Sequence, residues 1–252
     1  MRDFDELVAE AETADVSGWG FGWLDGRATE QRPPWGYARL LAGRLATVTA
    51  ALDIDTGGGE VLDEAPRLPP VMVATEGWAP NLERARARLE PRGVQVVEAG
   101  PDATLPMPEQ SFDLVTSRHP VRPRWSEIHR LLRPAGTYFA QHVGPESAFE
   151  LIERFVRPAP EARRGRHPDD EVLAATRVGL EVIDLQTTSC RLEFFDVGAI
   201  VWTLRKCVWW VPDFSVRRYE TQLRELDRHI REHGSFLAHS TRHLIEARRL
   251  IP

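Results

Sequence analysis

Residues 50–60 read AALDIDTGGGE, and this stretch has the clearest structural pattern in the sequence. A short apolar run ends in acidic residues, passes through three glycines and reaches a segment that can start a helix. Glycine has no Cβ and tolerates positive φ, so backbone in such a loop can approach a ligand closely. Loops of this kind lie at the carboxyl edge of α/β sheets, where cofactors bind. The stretch therefore predicts a strand, a tight loop and a cofactor site.

The composition is that of an ordinary globular protein. The chain has 252 residues, of which 42% are hydrophobic and 28% charged, and its net charge of −6 disfavours a dedicated nucleic-acid binder. Cys190 and Cys207 form neither a disulfide framework nor a metal motif, which indicates a reducing cytoplasm. No signal peptide or membrane span is predicted. Lys206 is the only lysine, a bias typical of a GC-rich bacterial genome.

Short apolar runs alternate with helical patterns through the first part of the chain. The predicted strands are 48–54, 71–75, 94–98, 112–116 and 137–143. The predicted helices between them include 80–90 and 125–132. This alternation predicts right-handed crossovers and a mostly parallel sheet that is covered on both faces.

The pattern changes after residue 145. The predicted elements there are a helix at 148–156, an exposed loop at 157–170, strand-like segments at 181–195 and 235–248, and helical segments at 197–207 and 215–233. We expect the two strand-like segments to pair antiparallel at the sheet edge.

The glycine loop fits two common cofactor motifs poorly. A dinucleotide site requires Gly-x-Gly-x-x-Gly, and although Gly57 and Gly59 fill the first two positions, Leu62 occupies the third. This disfavours a nicotinamide oxidoreductase. No Gly-Lys-Ser/Thr follows the loop, so it is not a phosphate loop of nucleotide hydrolases.

Acidic residues at the following strand ends suggest a nucleoside pocket. Glu76 follows the second strand, 19 residues after Gly57, where a carboxylate can accept hydrogen bonds from ribose hydroxyls. Asp102 follows the third strand, where a carboxylate can accept from the exocyclic amine of adenine. Each acid alone is more often a solvated loop residue. Together they describe a nucleoside pocket without phosphate recognition.

At this point the sequence resembles a class I S-adenosylmethionine-dependent methyltransferase of the methyltransferase type 11 group, over roughly residues 48–143. The matching pieces are the loop 53–59, the acid Glu76, the segment 102–108 with Asp102 and Ala103, the strand start 111–113, and the helix-to-strand passage 127–137. One position departs from the family pattern, since Asp55 stands where the family loop usually has its first glycine. Aspartate tolerates left-handed backbone better than most residues, so the turn can survive.

The resemblance implies a Rossmann-like α/β fold. Its expected sheet has seven strands, mostly parallel with an antiparallel last strand, and helices on both faces. The whole chain, 1–252, is expected to form one methyltransferase domain. Its expected parts are an N-terminal helical cap at 1–46, a cofactor-binding core at 47–160 and a C-terminal part at 161–252 with a helical insert at about 197–233.

The resemblance also implies S-adenosylmethionine as cofactor and assigns residues to its parts. Those expected along its methionine part are Asp53, Asp55, Thr56, Gly57 and Gly59. Those expected along its nucleoside are Glu76 at the ribose, Trp78 as an adenine wall, and Asp102 and Ala103 at the adenine. Ser117, Arg118 and His119 are expected to face the methyl group and the acceptor.

Methyl transfer to oxygen or nitrogen (EC 2.1.1.-), which is the expected reaction, requires a base only if the acceptor must lose a proton. His119 is the candidate base, because it titrates near neutral pH and follows the fourth strand. The alternative is that His119 only caps the turn before Pro120. His142, near the end of the fifth strand, is a second candidate.

The sequence lacks two motifs of nucleic-acid methyltransferases, which reduces the range of possible methyl acceptors. The segment 117–120, Ser-Arg-His-Pro, is not the Asn/Asp-Pro-Pro-Tyr/Phe of base-amino methyltransferases. A single lysine excludes a Lys-Asp-Lys-Glu tetrad. A small-molecule metabolite is therefore the expected acceptor, and RNA is the alternative. The residues expected to close over the acceptor, or else to pack as core, are Trp19, Trp23, Arg27, Tyr37 and Trp209.

No metal site is predicted. The segment 229–233 matches His-x-x-Glu-His, a zinc-peptidase pattern, but it ends a solvated helix with no distant acidic ligand in view. His239 and His243 are expected to be structural. A non-catalytic adenosylmethionine-binding protein remains an alternative to the enzyme, and the oligomeric state is not predicted.

Overall fold

The structure is a computed structural model that describes residues 2–17, 20–100, 102–157 and 165–251. The chain divides into two compact units. The first comprises Met1–Arg32, Pro145–Gly165 and Ser189–Thr241. The second comprises Pro33–Gly144, Arg166–Thr188 and Arg242–Pro252. Every residue of the predicted cofactor site lies in the second unit.

The elements are numbered here in chain order. The described helices are α1 (Phe4–Thr13), α2 (Tyr37–Leu45), α3 (Glu60–Asp63), α4 (Ala79–Leu89), α5 (Trp125–Leu131), α6 (Phe149–Ile152), α7 (Pro168–Arg177), α8 (Val197–Lys206) and α9 (Glu220–His233). The strands are β1 (Ala28–Glu30), β2 (Ala50–Ile54), β3 (Val71–Glu76), β4 (Gln95–Glu98), β5 (Phe112–Arg118), β6 (Leu132–Val143), β7 (Leu180–Phe194) and β8 (Phe236–Arg249). None of these helices is long and apolar enough to cross a membrane.

The second unit is built on a mostly parallel sheet. Its strand order is β7-β8-β6-β5-β2-β3-β4, with residues 180–188 of β7 and 242–249 of β8 belonging to this unit. Strands β2 to β6 pair in parallel, whereas β8 runs antiparallel to β6. This confirms the predicted α/β fold and its antiparallel last strand.

Both faces of this sheet are buried. Along β2, Leu52 packs in a cluster with Trp125 and Tyr138, whereas its neighbour Ala51 packs in a second cluster with Leu41. Successive side chains of a strand point to opposite faces, so the two clusters cover the two sides of the sheet. Burial on both faces explains why these strands appear in the sequence as short continuous apolar runs.

Asp113 joins the starts of β2 and β5. Its carboxylate accepts hydrogen bonds from the backbone N–H groups of Thr49 and Ala50 (both 3.0 Å) and from the Thr49 hydroxyl (2.6 Å). It also forms an ion pair with Arg133 at 2.6 Å. Partial burial raises the pKa of Asp113, but the Thr49 and Arg133 hydrogen bonds outweigh it and bring the pKa to about 2.

We expect Asp113→Asn to destabilise the protein at neutral pH by about 1–2 kcal/mol, a value discounted for partial exposure. The lowered pKa means that this stabilisation is present above the unfolded-state value near 3.8 and is lost as the pH falls through about 2. The difference in melting temperature between wild type and variant should therefore shrink as the pH is lowered below about 4. Asp184→Asn, at an exposed position, is the control. Equal stability of Asp113→Asn and wild type at neutral pH would contradict this account.

The first unit has its own apolar core around Trp202. Helices α1, α8 and α9 contribute Leu7, Trp202 and Leu223 to one buried cluster. The Trp202 indole stacks on Trp23 with ring centroids 5.6 Å apart. Its Nε1 donates to the carbonyl of Asp15 at 2.9 Å.

The sequence missed strand β1, which pairs antiparallel with β7 in the first unit. The described strands therefore number eight rather than the expected seven. Three residues, of which two are exposed, carry too little alternation to predict a strand.

Helix α7 begins inside the segment 157–170 that was expected to be an exposed loop, of which residues 158–164 lie outside the described part. Pro168 occupies the first turn, and the acids Asp169, Asp170 and Glu171 follow it. These are favourable helix-start residues, because proline suits the first turn and acids interact well with the N-terminal dipole. Their polarity made the segment resemble a loop.

Candidate active site

The glycine loop joins β2 to α3 through a chain of positive φ angles. Asp55 has φ 57°, Gly57 has φ 65° and Gly59 has φ 82°. A Cβ on Gly59 would lie 2.7 Å from the Leu89 side chain, so only glycine fits there. Asp55 thus takes the left-handed conformation that its place in the motif requires.

Thr75, on the neighbouring strand β3, holds this loop in place. Its carbonyl accepts from the N–H of Thr56 at 2.9 Å, and its hydroxyl accepts from the N–H of Asp55 at 3.3 Å. The loop is therefore fixed to the end of β3, directly before Glu76.

Glu76 ties three backbone groups together with one buried carboxylate. Oε2 accepts from the N–H of Gly57 at 2.8 Å, and Oε1 accepts from the N–H groups of Gly77 (2.9 Å) and Trp78 (2.8 Å). Burial raises the pKa of Glu76, and the backbone hydrogen bonds from Trp78 and Gly57 oppose that rise. A carboxylate has about four acceptor positions, so one remains for a ligand. The Trp78 side chain itself is 44% exposed.

Asp53 is the buried acid of the site. It lies in β2 and is 7% exposed, and its carboxylate accepts from the Thr116 hydroxyl at 2.5 Å. Burial raises its pKa to about 6, against the hydrogen bond from Thr116, which lowers it. Burial also raises the pKa of neighbouring Asp55, which Arg124 opposes. The charge of Arg118 also lowers the pKa of Asp53, but Asp53 forms no ion pair with any of the described residues, so a positively charged ligand would further stabilise its ionised form.

Asp102 and Ala103 line a cavity of about 480 Å³ whose walls also include Trp125 and Arg177. Asp102 is exposed and forms an ion pair with Arg122 at 2.8 Å, and Arg124 donates to the carbonyl of Ala103 at 2.8 Å. The residues 122–124 line this cavity and also a cleft of about 10 Å³ beside Asp55 and Ser117.

Ser117 and Arg118 end β5. Ser117 is 2% exposed, and within the described part of the chain its hydroxyl oxygen has no hydrogen-bond partner. Arg118 is exposed at the strand end. An unsatisfied buried hydroxyl beside the cleft is a group that a bound ligand can pair with.

His119 directly follows Arg118 at the end of β5, with φ 58°, and its Nε2 accepts a hydrogen bond from the Gln141 side chain. The indole N–H of Trp35 donates to Oε1 of Gln141 at 2.7 Å, so the Gln141 amide nitrogen faces Nε2 of His119 at 2.8 Å. An amide N–H₂ only donates, which makes Nε2 the acceptor and places the imidazole proton on Nδ1. Burial, and then the charge of Arg118, hold the pKa of His119 well below its usual value, so it is neutral.

Tyr37 and His142 are both buried in the second unit. The Tyr37 hydroxyl donates to the carbonyl of Ser117 at 3.2 Å, and its ring stacks on Phe139 at 5.3 Å. Burial, above all, raises the pKa of Tyr37 well above its usual value. His142 lies between Tyr138 and Glu171, with its Nε2 2.9 Å from the Tyr138 hydroxyl.

The remaining predicted acceptor residues belong to the first unit. The Arg27 guanidinium lies 4.1 Å from the centre of the Trp23 ring and pairs with Glu10 at 2.7 Å. Trp209 is 54% exposed. Trp19 lies outside the described residues. That these side chains close over an acceptor stays a prediction.

Two polar groups at this edge of the sheet escaped the sequence reasoning. Gln141 connects Trp35 to His119 across residues far apart in the chain, and no local pattern reveals that contact. Asn81 is buried on the same face of α4 as Ala85 and Leu89, and both of its amide atoms lack a partner among the described residues. A polar residue on an apolar helix face was the available signal.

Comparison with known proteins supports this description. The model of a family described as "Methyltransferase domain" matches residues 52–140. No curated protein matches the sequence. Among solved structures, a putative methyltransferase from Bacillus halodurans C-125 is 18% identical, with 85% of this chain and 99% of that chain covered and a TM-score of 0.61.

Two further structures show the breadth of the fold. An S-adenosylmethionine-dependent methyltransferase from Mesorhizobium loti is 18% identical over 85% of this chain and 99% of its own, with a TM-score of 0.51. The [4+2]-cyclase SpnF is 15% identical over 85% of this chain and 81% of its own, with a TM-score of 0.53. At these identities the likeness concerns the fold alone. Residues 52–140 thus match a methyltransferase domain model, and the fold of the chain is similar to that of S-adenosylmethionine-dependent methyltransferases.

Proposed function

We propose that this chain is a methyltransferase that moves the methyl group of S-adenosylmethionine to a small-molecule acceptor. The observation that carries the proposal is the pair of buried acids, Asp53 and Glu76, on adjacent parallel strands, with the positive-φ glycine loop fixed between them. This is a polar cradle at the strand ends where cofactors of α/β proteins bind.

The residues present fit that cofactor. When bound, it supplies an electrophilic methyl group on a sulfonium, so the protein need only bind and orient the reactants. The ionised form of Asp53 would balance the positive charge of the cofactor's methionine part. The remaining acceptor position of Glu76 would take a ribose hydroxyl, and Ser117 offers a buried hydroxyl that has no partner among the described residues. Asp102 and Ala103 would hold the adenine.

Cofactor entry requires residues 122–124 to move. The cleft beside Asp55 holds about 10 Å³, whereas ligand pockets hold roughly 300–1,000 Å³. Because residues 122–124 line both this cleft and the cavity of about 480 Å³ at Asp102, their displacement would join the two spaces. This displacement would break the exposed Arg122–Asp102 ion pair, which is worth about 1 kcal/mol or less, and the hydrogen bond from Arg124 to the Ala103 carbonyl.

His119 would serve as a base only after giving up its hydrogen bond from Gln141. In the arrangement described, the lone pair of Nε2 is engaged by the amide and Nδ1 carries the proton. For an acceptor that needs no deprotonation, His119 would act only by shaping the pocket. The negative net charge and the Ser-Arg-His-Pro segment at 117–120 favour a small molecule over RNA.

Because the fold is also similar to that of a cyclase, finding that the chain binds the cofactor would not by itself show methyl transfer. Folds host several chemistries, so binding of the cofactor and transfer of its methyl group must be measured separately. The expected result of calorimetric titration is binding of adenosylmethionine and adenosylhomocysteine and no binding of NAD. No adenosylmethionine binding below about 1 mM, the weakest affinity in the usual range, would overturn the proposal.

Transfer is tested with adenosylmethionine tritiated on the methyl group. We expect label to enter a small molecule when the protein is incubated with a metabolite extract. If the label enters RNA instead, the acceptor is RNA and the proposed small-molecule acceptor is wrong. Tight cofactor binding with no transfer to either pool would overturn the enzymatic proposal in favour of a non-catalytic binding protein.

A further inference from the structure

Three ligand-type side chains of the second unit converge at one buried point. His142 on β6 and His243 on β8 are directly opposite each other in the antiparallel pair, and Glu171 comes from the first turn of α7. His142 is 2% exposed, His243 1% and Glu171 8%. One atom from each side chain lies within 4.8 Å of the other two.

The geometry is centred on one carboxylate oxygen. Nδ1 of His142 lies 2.5 Å from Oε2 of Glu171, and Nε2 of His243 lies 2.7 Å from the same oxygen. Two imidazoles therefore present one nitrogen each to a single carboxylate. Both nitrogens and the carboxylate oxygen are buried, and all three are atom types that bind transition-metal ions.

A hydrogen bond to the far side of the His142 ring orients it. The Tyr138 hydroxyl lies 2.9 Å from His142 Nε2, which leaves Nδ1 facing Glu171. Histidines that bind metals usually have the second nitrogen held by such an outer partner, which fixes the orientation of the ring. The three side chains come from three elements that pack in one buried apolar cluster through Ala140, Ala175 and Ile245.

We propose that His142 Nδ1, His243 Nε2 and the Glu171 carboxylate bind a divalent transition-metal ion, Zn²⁺ in the first instance. Two histidines and one carboxylate form a ligand set that suits Zn²⁺ and Fe²⁺. Bonds of about 2.0–2.2 Å require the nitrogen–oxygen separations to open to roughly 3 Å, because the ion takes the place of the shared protons. Three protein ligands leave one position for water or a substrate atom.

The direct test is the metal content of tag-free protein. Since a polyhistidine tag binds metals itself, it must be removed before the protein is loaded with Zn²⁺, desalted and analysed by plasma mass spectrometry. We expect about one equivalent in wild type, and affinity lowered roughly 100-fold or more in Glu171→Gln and His243→Ala, which lose ligands. Tyr138→Phe should keep the ligands and lose about 10–100-fold.

Matched controls come from histidines elsewhere in the chain. His239 pairs with Glu150 at 2.8 Å on the surface of the first unit, and His233 ends α9 in the His-x-x-Glu-His segment. His239→Ala and His233→Ala should bind metal like wild type. Metal that is lost in these controls and retained in Glu171→Gln would overturn the proposal.

Two further readouts do not depend on the variants folding well. Co²⁺ titrated into wild type should give visible ligand-field absorption, which Zn²⁺ abolishes by displacement. A chelator should lower the wild-type melting temperature, and added Zn²⁺ should restore it. No Co²⁺ absorption and no response of the melting temperature to Zn²⁺ would show that protons alone fill the site.

Discussion

Replacing Glu76 by alanine is expected to lower the affinity for adenosylmethionine by roughly 100-fold or more, through the loss of one hydrogen bond to a charged acceptor and the release of the glycine loop. The variant loses the acceptor offered to the ribose. It also releases the N–H groups of Gly57, Gly77 and Trp78, which now point at the Glu76 carboxylate. The loop that approaches the ligand is then no longer fixed.

Two variants separate these effects. Glu76→Gln keeps one side-chain oxygen as an acceptor, but its amide N–H₂ faces backbone N–H donors that need an acceptor. The folded variant should therefore bind the cofactor weakly. Glu98→Ala is the matched control, since Glu98 is the register partner of Glu76 on β4 and is exposed. We expect Glu98→Ala to bind adenosylmethionine like wild type.

Calorimetric titration and thermal denaturation of the three proteins give the comparison. Glu76→Ala should also melt at lower temperature without ligand, because buried N–H groups without a partner cost about 1–3 kcal/mol each. Full cofactor affinity in a folded Glu76→Ala protein would show that this carboxylate only holds the loop and makes no contact with the ribose.

Strand β2 and the glycine loop could be predicted because the residues that identify them are adjacent in the sequence. Strand β2 is apolar at every position but Asp53, and its end is followed within five residues by three glycines. Leu62, at the third glycine position of the dinucleotide motif, disfavoured that motif, and the structure shows how the position is packed. Leu62 is wholly buried, and the close helix contact falls instead at Gly59, packed on Leu89.

The residues around His119 and His142 could not be predicted, because their partners are distant in sequence. Trp35 and Gln141 are 106 positions apart, and Glu171 and His243 are 72 positions apart. Side chains that meet only through the sheet order leave no spacing pattern in the chain. His243 was expected to be structural, and Glu171 directly follows the segment 157–170 that was predicted to be an exposed loop.

Replacing Asp53 by asparagine is expected to raise stability and lower cofactor affinity together. In the folded protein burial raises the pKa of Asp53 to about 6, from a usual value of 3.8. Above that pH the carboxylate is ionised in a place that disfavours charge. Asparagine keeps an acceptor for the Thr116 hydroxyl and carries no charge, so it removes the penalty.

The sign of the stability effect follows from linkage. A raised pKa means that the folded state binds the proton more tightly than the unfolded state, so ionisation of Asp53 lowers stability as the pH rises from 3.8 through about 6. A shift of about two units corresponds to at most about 3 kcal/mol above that range. We expect Asp53→Asn to melt several degrees higher than wild type at about pH 7.5 and at the same temperature near pH 4.

Ionised Asp53 lowers the stability of the folded protein but should raise its affinity for the cofactor. A cationic ligand stabilises the ionised carboxylate, so wild-type affinity should be constant above about pH 6 and fall up to tenfold per unit below it. Asp53→Asn should bind about 10–100-fold more weakly at about pH 7.5, with little dependence on pH between 5 and 7.5. Calorimetric titration across this range measures both quantities.

Asp113→Asn provides the contrasting control, because the lowered pKa of Asp113 predicts a loss of stability at neutral pH where Asp53→Asn predicts a gain. The two variants make the same change of charge on neighbouring strands, so a general effect of net charge would move both melting temperatures in one direction. Opposite shifts would show that the protein gives up stability at Asp53 to keep a buried negative charge for its ligand. If Asp53→Asn is destabilised at neutral pH and binds adenosylmethionine like wild type, the buried acid belongs to the core of the sheet and the cofactor does not use it.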